Sequence, residues 1–340
     1  MMGAAALMAT LPPGVSELAR SWWADASTRL QAMDERRLRP ERVDLGRVLT
    51  FGARRAAPGP TRRTWPACVH VDVSDEDVDV LAALVVEVGA TDGEALAAAA
   101  QELRLPVTPF RSPAAAAERW AGTSPHARLR DPASGRPRPG GLATVRVLDL
   151  TSHWAGPLCT RLLAGCGATV VKVDPSCRPD GFRANRRLYG PLNRGKQIVD
   201  LDLRSSAGRG TFERLVAQSD LVVESFSDRV MGNLGYDPRA LRAINPTVAT
   251  LAVRAFPAGT PEASWVAYGR GVHAASGLGL LTGTPAPAEV AYPDPLGGLA
   301  AFSAALDVLS HPTPWPSFEV SLAGVLEPLV SNASPAPVAA

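Results

Sequence analysis

Cysteine and histidine are scarce in this sequence, and their spacing argues against a metal centre. Of 340 residues, four are cysteines and five are histidines, and no Cys-x-x-Cys pair occurs. Zinc sites require closely spaced ligands of these types. We therefore expect reduced thiols and no bound metal.

An excess of charge of one sign is also missing. Lys and Arg number 35 against 33 Asp and Glu, a formal net charge of +2, which gives no field that would attract nucleic acid or an anionic membrane. Residues 1–11 are apolar but lack a preceding basic residue, and no run of about 18 apolar residues is free of charge or proline. The expectation is a cytoplasmic protein that binds neither nucleic acid nor membrane.

Hydrophobic residues make up 46% of the chain, enough for two packed domains. Proline, glycine and arginine crowd into residues 130–141 (RDPASGRPRPGG), a composition typical of an exposed linker. The predicted organisation is an N-terminal part at 1–129, this linker, a main part at 142–330 and a frayed tail at 331–340.

The N-terminal part shows short helical and extended patterns. Apolar spacing predicts a helix over 15–36, and alternation predicts a strand over 69–73. A helix over 92–103 runs into a strand at 106–108, an order that we interpret as a crossover unit. Trp120 is predicted to be a packing residue rather than a binding platform.

The main part alternates buried-strand runs with helices. Strands are predicted at 145–150, 170–174, 221–224 and 247–253, with helices at 158–165 and 211–218. Such alternation favours an α/β fold, a Rossmann-like parallel sheet with helices on both faces plus a smaller second domain.

Two loops are candidates for ligand binding on local grounds. Residues 151–157 (TSHWAGP) join a strand to a helix, where backbone N–H groups can receive an anion, although no Gly-x-Gly-x-x-Gly is present. A plain turn with His153 as a polar surface residue is the alternative. The arginine-rich segment 183–197 is either a phosphate contact or a solvated basic loop.

Four separated blocks carry a family resemblance. They are VRVLDLTSHWAGPLCTRLLAGCGATVVKVDP (145–175), LNRGKQIVDLDLRSSAGR (192–209), DLVVESFSDRVMGNLGYDPRALRAINP (220–246) and FEVSLAGVLEPL (318–329). In order and spacing they resemble the class III CoA-transferase family, which includes formyl-CoA transferase, carnitine CoA-transferase and the α-methylacyl-CoA racemases.

The resemblance implies coenzyme A as substrate, bound against the first strand-to-helix turn, with its adenine and phosphates near the loops that follow the strands predicted at 170–174 and 221–224. The implied contacts are Ser152, His153, Trp154, Ala155, Arg178, Lys196, Ser225 and Phe226. Gln197 stands where the family commonly has an arginine.

The resemblance also places the catalytic carboxylate at Asp294, within 291–301 (AYPDPLGGLAA). A carboxylate at the start of an apolar helix, with glycines that let a thioester approach closely, suits a covalent nucleophile. The alternative is that Asp294 is a helix N-cap.

Tyr268 stands at the position of a histidine that the racemases use as a base, and Gly269 replaces its acidic neighbour. The racemase pair is therefore absent, and His273 is a poor substitute. We take Tyr268 as a second catalytic candidate. Within 259–288, the only cationic anchor for a substrate acid is Arg270, with Arg254 nearby.

The leading expectation is an enzyme that moves CoA from an acyl-CoA to a carboxylic acid through an aspartyl intermediate, as a homodimer. The alternatives are a CoA-binding homologue without turnover, or another acyl-CoA conversion such as epimerisation or dehydration. Residues 1–129 resemble the distal half of the family, which suggests a permuted or half-of-fusion member. We expect that part to dock onto the main part rather than to fold alone.

Overall fold

The computed structural model describes residues 14–33, 65–89, 91–120, 140–281, 285, 291–310 and 317–331. Most of the predicted linker and tail therefore lies outside the described residues. The strands are β1 (Val69–Val71), β2 (Val107–Pro109), β3 (Arg146–Leu150), β4 (Thr169–Val173), β5 (Gln197–Val199), β6 (Leu221–Glu224), β7 (Ala249–Arg254) and β8 (Phe318–Ser321).

The helices in the described residues are α1 (Val15–Met33), α2 (Val78–Val88), α3 (Gly93–Glu102), α4 (Pro113–Arg119), α5 (Ala155–Gly165), α6 (Arg186–Asn193), α7 (Ser206–Ala217), α8 (Val230–Asn233), α9 (Pro238–Ile244), α10 (Gly269–Ala275), α11 (Pro293–Leu309), α12 (Leu322–Val325) and α13 (Glu327–Ser331). Short 3₁₀ turns lie at Asp75–Asp77, Gly141–Thr144, Pro261–Ser264 and Leu278–Leu280.

Six strands form a parallel sheet in the order β5-β4-β3-β6-β7-β8. The chain starts in the middle of the sheet, proceeds to one edge and then returns to build the other half. This is the strand order of doubly wound nucleotide-binding folds, and its direction reverses between β3 and β6. The predicted parallel α/β fold is confirmed.

Alternate residues of the central strands face two separate cores. One core contains Val147 and Val223, together with residues of α5 and α11. The other contains Leu148 and Val222, with residues of α7 and α9. Because side chains of a strand alternate between faces, both faces of a strand that is apolar throughout are buried under helices.

The smaller unit is built on β1 and β2, which pair antiparallel. The expected crossover unit is therefore wrong, since a crossover joins parallel strands. α2 and α3 pack on this pair in a core of their own. The pair lies against α10, where Thr108 occupies the space over Gly271 that a Cβ would need.

α1 packs along α11, in the main core rather than in the smaller unit. The rings of Trp23 and Phe302 stack with centroids 6.2 Å apart, and the buried Arg29 pairs with Asp307. Trp120 packs on Phe256 with ring centroids 6.0 Å apart, which agrees with its predicted packing role.

A buried ion pair joins the smaller unit to the sheet domain. Arg111 donates to Glu262 Oε1 at 2.8 Å, and Arg119 reaches the same oxygen at 2.8 Å. Glu262 is completely buried in the turn Pro261–Ser264. Arg111 also pairs with Glu94 on α3, so this contact ties two elements of the N-terminal part to the main part.

Candidate active site

The turn after β3 lies at the switch point of the sheet. β3 ends at Leu150 and α5 begins at Ala155, so the residues between them lie outside the carboxyl ends of β3 and β6, where doubly wound sheets bind ligands. The Ser152 N–H donates to Ser225 Oγ at 3.0 Å, and Ser225 directly follows β6. The structure thus joins two loops for which the resemblance implies CoA contacts.

His153 is held at the centre of this turn. Its N–H donates to Asp180 Oδ1 at 3.0 Å and its Nδ1 lies 3.1 Å from Ser152 Oγ. Its ring contacts those of Phe182 and Tyr268, with centroids 5.5 and 4.8 Å apart. Burial lowers the pKa of His153 although Asp180 opposes this, so the imidazole is neutral at physiological pH. His153 is not a free surface residue.

Arg178 is exposed on the loop after β4. Its guanidinium is close enough to act electrostatically on both His153 and Tyr268. Among the predicted CoA contacts it is the cation that the structure leaves at the surface beside the turn. An exposed guanidinium there can pair with a phosphate.

Phe226 belongs to the loop after β6, and its carbonyl accepts Arg254 Nη1 at 3.0 Å. Arg254 also pairs with Glu224 Oε1 at 2.5 Å, where both side chains are about nine-tenths buried. Arg254 therefore shapes this loop rather than offering a free anchor for a substrate acid.

Lys196 lies beneath the turn, fully buried. Its three N–H donors serve Asp149 Oδ2 at 2.9 Å, the Pro157 carbonyl at 3.0 Å and Asn193 Oδ1 at 2.9 Å. Burial lowers the pKa of Lys196 to about 8 although Asp149 opposes this. Burial would raise the pKa of Asp149, but Lys196 and Lys172 lower it to about 2. The expected phosphate contact of Lys196 does not agree with this placement, because no donor is left for it.

Trp154 and Ala155 are buried at the start of α5. Trp154 packs with Leu158 and Leu192 in a small apolar cluster. The structure makes both side chains part of the core, so they anchor the helix start, and neither is displayed as a ligand contact.

Asp294 lies in the first turn of α11 and is the one residue of that helix that is not buried. Its carboxylate accepts the N–H of Gly269, the first residue of α10, and a Cβ on Gly269 would overlap Asp294 Oδ2. The cap position of α11 is Tyr292. The helix-cap alternative for Asp294 is therefore wrong.

Gly297 brings α11 against α12, and Gly298 brings it against α5. A Cβ on Gly297 would overlap Leu322, and one on Gly298 would lie 2.8 Å from the Ala155 carbonyl oxygen. Both glycines are buried. The two glycines let α12 and α5 approach α11, which does not agree with the expectation that they admit a thioester.

The carboxylate of Asp294 has an unusual electrostatic environment. Burial raises its pKa to about 7 and the negative charge of Asp72 acts in the same direction, while the Gly269 N–H and the charge of Arg270 oppose this. None of the ion pairs found among the described residues includes Asp294. A poorly solvated carboxylate outside a salt bridge keeps its basicity, as a nucleophile requires.

Tyr268 links the switch-point turn to this carboxylate. It directly precedes Gly269, its ring rests on His153, and its side chain is 38% exposed. Burial raises its pKa, so the phenol is protonated and can donate. His273 is buried and bonds Tyr292 Oη, consistent with the expectation that it does not replace a racemase base.

Asp72 was not singled out from the sequence, and it reaches the site from the N-terminal part. It follows β1, with its Oδ2 3.0 Å from His70 Nε2. Its charge acts on both Tyr268 and Asp294. An acidic residue at the end of a strand was the only signal in the sequence, and nothing local connects it with residues 200 positions away.

The fold is a doubly wound α/β sheet with two loops joined at its switch point, and Asp294, a carboxylate of raised pKa, is hydrogen-bonded to the residue after Tyr268. The chain belongs to CoA-transferase family III, whose family model matches residues 142–312. The resemblance drawn from the four sequence blocks is thereby confirmed.

Several relatives share this region. The chain is 36% identical over 180 residues to "Probable CoA-transferase Rv1866" of Mycobacterium tuberculosis, covering 50% of this chain and 22% of that protein. It is 35% identical over 157 residues to the succinyl-CoA–D-citramalate CoA-transferase of Chloroflexus aurantiacus, covering 44% and 39%. The chain thus spans well under half the length of these curated relatives.

Among solved structures, the hypothetical protein Rv3272 of Mycobacterium tuberculosis is 29% identical with a TM-score of 0.51, covering 55% of this chain and 56% of that one. Among the described helices, none is long and apolar enough to cross a membrane. Across the same ranges, no three His, Cys, Asp or Glu side chains are grouped to hold a metal ion.

Proposed function

We propose that this protein transfers CoA from an acyl-CoA to a carboxylic acid, with Asp294 as the covalent nucleophile. The observation that carries the proposal is a carboxylate of raised pKa, outside any ion pair of the described residues, at the end of a contact chain from the switch-point turn through Tyr268. Family membership supports the reaction class. Relatives named for succinyl-CoA and for acetyl-CoA and oxalate support CoA thioesters and carboxylates as the substrate class.

The reaction proceeds by two exchanges at Asp294. Its carboxylate attacks the thioester carbonyl, the C–S bond breaks, and a mixed anhydride forms as CoA leaves as a thiolate. The thiolate then attacks the aspartyl carbonyl, which releases the donor acid as a carboxylate and leaves an aspartyl-CoA thioester. The acceptor carboxylate attacks this thioester, and the same two steps in reverse give the new acyl-CoA.

The neighbouring groups assist by position and charge. The Gly269 N–H that holds the carboxylate in the resting site can donate to the oxygen on which negative charge develops. Arg270 offsets part of the negative charge that gathers when an acceptor acid enters. Tyr268 fixes the distance between the CoA turn and the nucleophile, since its ring rests on His153.

We place CoA along the turn at Ser152 and His153, with phosphates near Arg178 and the base beside Ser225 and Phe226. Lys196 is left out of this set as a direct contact, because its donors are used internally. Its role is to fasten α5 to β3 under the turn. A cytoplasmic location stays a prediction from the composition, and a homodimer stays a prediction from the resemblance.

Trapping with hydroxylamine tests the nucleophile. The protein is incubated with a panel of acyl-CoAs and hydroxylamine and then digested, and mass spectrometry should locate a hydroxamate on Asp294. Asp294→Asn should show none and should not turn over. Asp307→Asn, a buried carboxylate on the same helix, is the matched control and should still be labelled. CoA binding without any hydroxamate would contradict the proposal and favour a CoA-binding homologue without turnover.

A further inference from the structure

The backbone of His153 is in an unfavourable conformation. Its φ is 66°, one of two positive values found for non-glycine residues in the described part of the chain. Left-handed backbone is costly for a residue with a Cβ. It persists only where the surroundings hold it, and such residues cluster at ligand sites. His153 occupies the middle of the switch-point turn.

A buried ion pair holds this conformation. Asp180 Oδ1 accepts the N–H of His153 at 3.0 Å and that of Phe182 at 2.9 Å, and Asp180 Oδ2 accepts Lys172 Nζ at 3.0 Å. Lys172 comes from β4 and also donates to the Thr151 carbonyl. The residues on both sides of Ser152 are therefore tied to one pair, whose side chains are 0% and 2% exposed.

Stability alone does not explain this pair. Taking two charges out of water costs so much that replacing a buried ion pair by apolar residues is often neutral or stabilising. Here the two charges lie at the carboxyl-end side of the sheet, next to the switch point, where the backbone of one turn is fixed. Their location matches a ligand site better than a general packing role.

Gly181 fixes the ring of the same histidine. A Cβ on Gly181 would overlap His153 Nε2, so the imidazole lies directly over the glycine backbone. The rings of Phe182 and Tyr268 contact it as well. The segment that contains Asp180 thus determines both the backbone and the side-chain position of His153.

We propose that Lys172 and Asp180 are positioning residues for CoA binding that act through His153. With His153 in the left-handed conformation, the chain turns so that the Ser152 N–H meets Ser225 Oγ and α5 starts immediately afterwards. Neither member of the pair touches CoA. The inference rests on the proposed binding of CoA at this turn.

A double-mutant cycle tests the inference, with CoA affinity measured by calorimetry on the full chain. Glycine adopts positive φ without cost, so His153→Gly should make the pair dispensable. Asp180→Ala should weaken CoA binding at least about tenfold when His153 is present and less than about threefold in the His153→Gly background. An equal loss in both backgrounds would mean that Asp180 does not act through His153.

A matched variant separates this role from loss of stability. Asp307→Asn removes a buried carboxylate paired with Arg29 at the far end of α11, and it should lower Tm while leaving CoA affinity unchanged. Comparable loss of affinity in this variant would overturn the inference.

A second readout does not depend on CoA. If the wild-type chain binds no CoA at millimolar concentration, the proposed function is wrong, and the NMR signals of the His153 imidazole still report on the turn. Asp180→Ala should shift these signals and Asp307→Asn should not. Unchanged signals in Asp180→Ala would overturn the positioning role.

Discussion

Replacing Asp294 by asparagine should stabilise the protein at alkaline pH. The pKa of Asp294 in the folded state is about 7, above the 3.8 of an unperturbed carboxyl. Between these two values the native state binds more protons than the unfolded state, so this group makes stability fall as pH rises. Below the lower value both states are protonated and the penalty is absent. Above about pH 7 it is fully present.

The structure sets an upper limit on the size of this effect. Raising the pKa from 3.8 to about 7, at 1.36 kcal/mol for each unit, corresponds to about 4 kcal/mol. The Asp294 side chain keeps some contact with solvent, which reduces this figure. Asparagine has nearly the same shape and retains an oxygen for the Gly269 N–H, so the substitution removes the charge and little else.

Urea unfolding at about pH 5 and about pH 8 measures the effect, since the linkage relation requires the difference between variant and wild type to grow over that interval. Asp75→Asn, an exposed carboxylate in the N-terminal part, should show no such growth. If Asp294→Asn changed stability equally at both pH values, the carboxylate would have an ordinary pKa and the reasoning would fail. A gain in stability with loss of turnover would mark a strained functional site.

Three further predictions concern neighbouring residues. Asp72→Asn should lower the pKa of Asp294 by removing a like charge, and so shift the acid limb of kcat/KM to lower pH, whereas Asp75→Asn should leave the profile unchanged. Gly269→Ala should reduce turnover at least about tenfold, because its methyl group overlaps the Asp294 carboxylate, and rates at or near wild type would argue against the geometry of this contact. Glu262→Ala should lower the free energy of unfolding by about 3 kcal/mol, because its arginine partners lose a buried carboxylate; a loss below about 1 kcal/mol in urea titrations would show that this pair does not fasten the two parts together.

The sequence was most informative where strands are buried on both faces. The strands predicted at 145–150 and 221–224 agree with β3 and β6 to within a residue, because short runs rich in valine and leucine are typical of central parallel strands. The helix predicted at 158–165 in fact begins at Ala155. The proline at 157 favours a turn in the sequence, but proline is tolerated in the first turn of a helix, where its missing N–H has no partner to lose.

Buried charged residues are the part of the site that is hardest to predict from the sequence. The resemblance implies a phosphate contact for Lys196, yet its amino group is bound by Asp149 and Asn193 beneath the turn. Lys172 stands in an apolar strand with nothing local to show that Asp180 pairs with it. Such pairings depend on how loops fold back on strand ends, which periodicity does not encode.

The proximity of Asp72 to Asp294 cannot be predicted from the sequence for a related reason. The two residues belong to different units, and the charge of Asp72 acts on Asp294 because β1 and β2 pack on α10. The N-terminal part resembles the distal half of the family, but this resemblance implies no site residue there. The antiparallel pairing of β1 with β2 was missed as well, since a short strand carries no mark of its partner's direction.

Helix α11 is enclosed by α1 on one side and α5 on another, and every residue except Asp294 is buried. A helix that is packed against its neighbours in this way cannot slide or rotate without disrupting the packing of the main core. The Asp294 carboxylate at the start of this helix is therefore held in a fixed position. In the proposed reaction, bonds to this carboxylate form and break several times while it stays in place. The CoA thiol must therefore move away and return, and the donor and acceptor acids must exchange places at one fixed point.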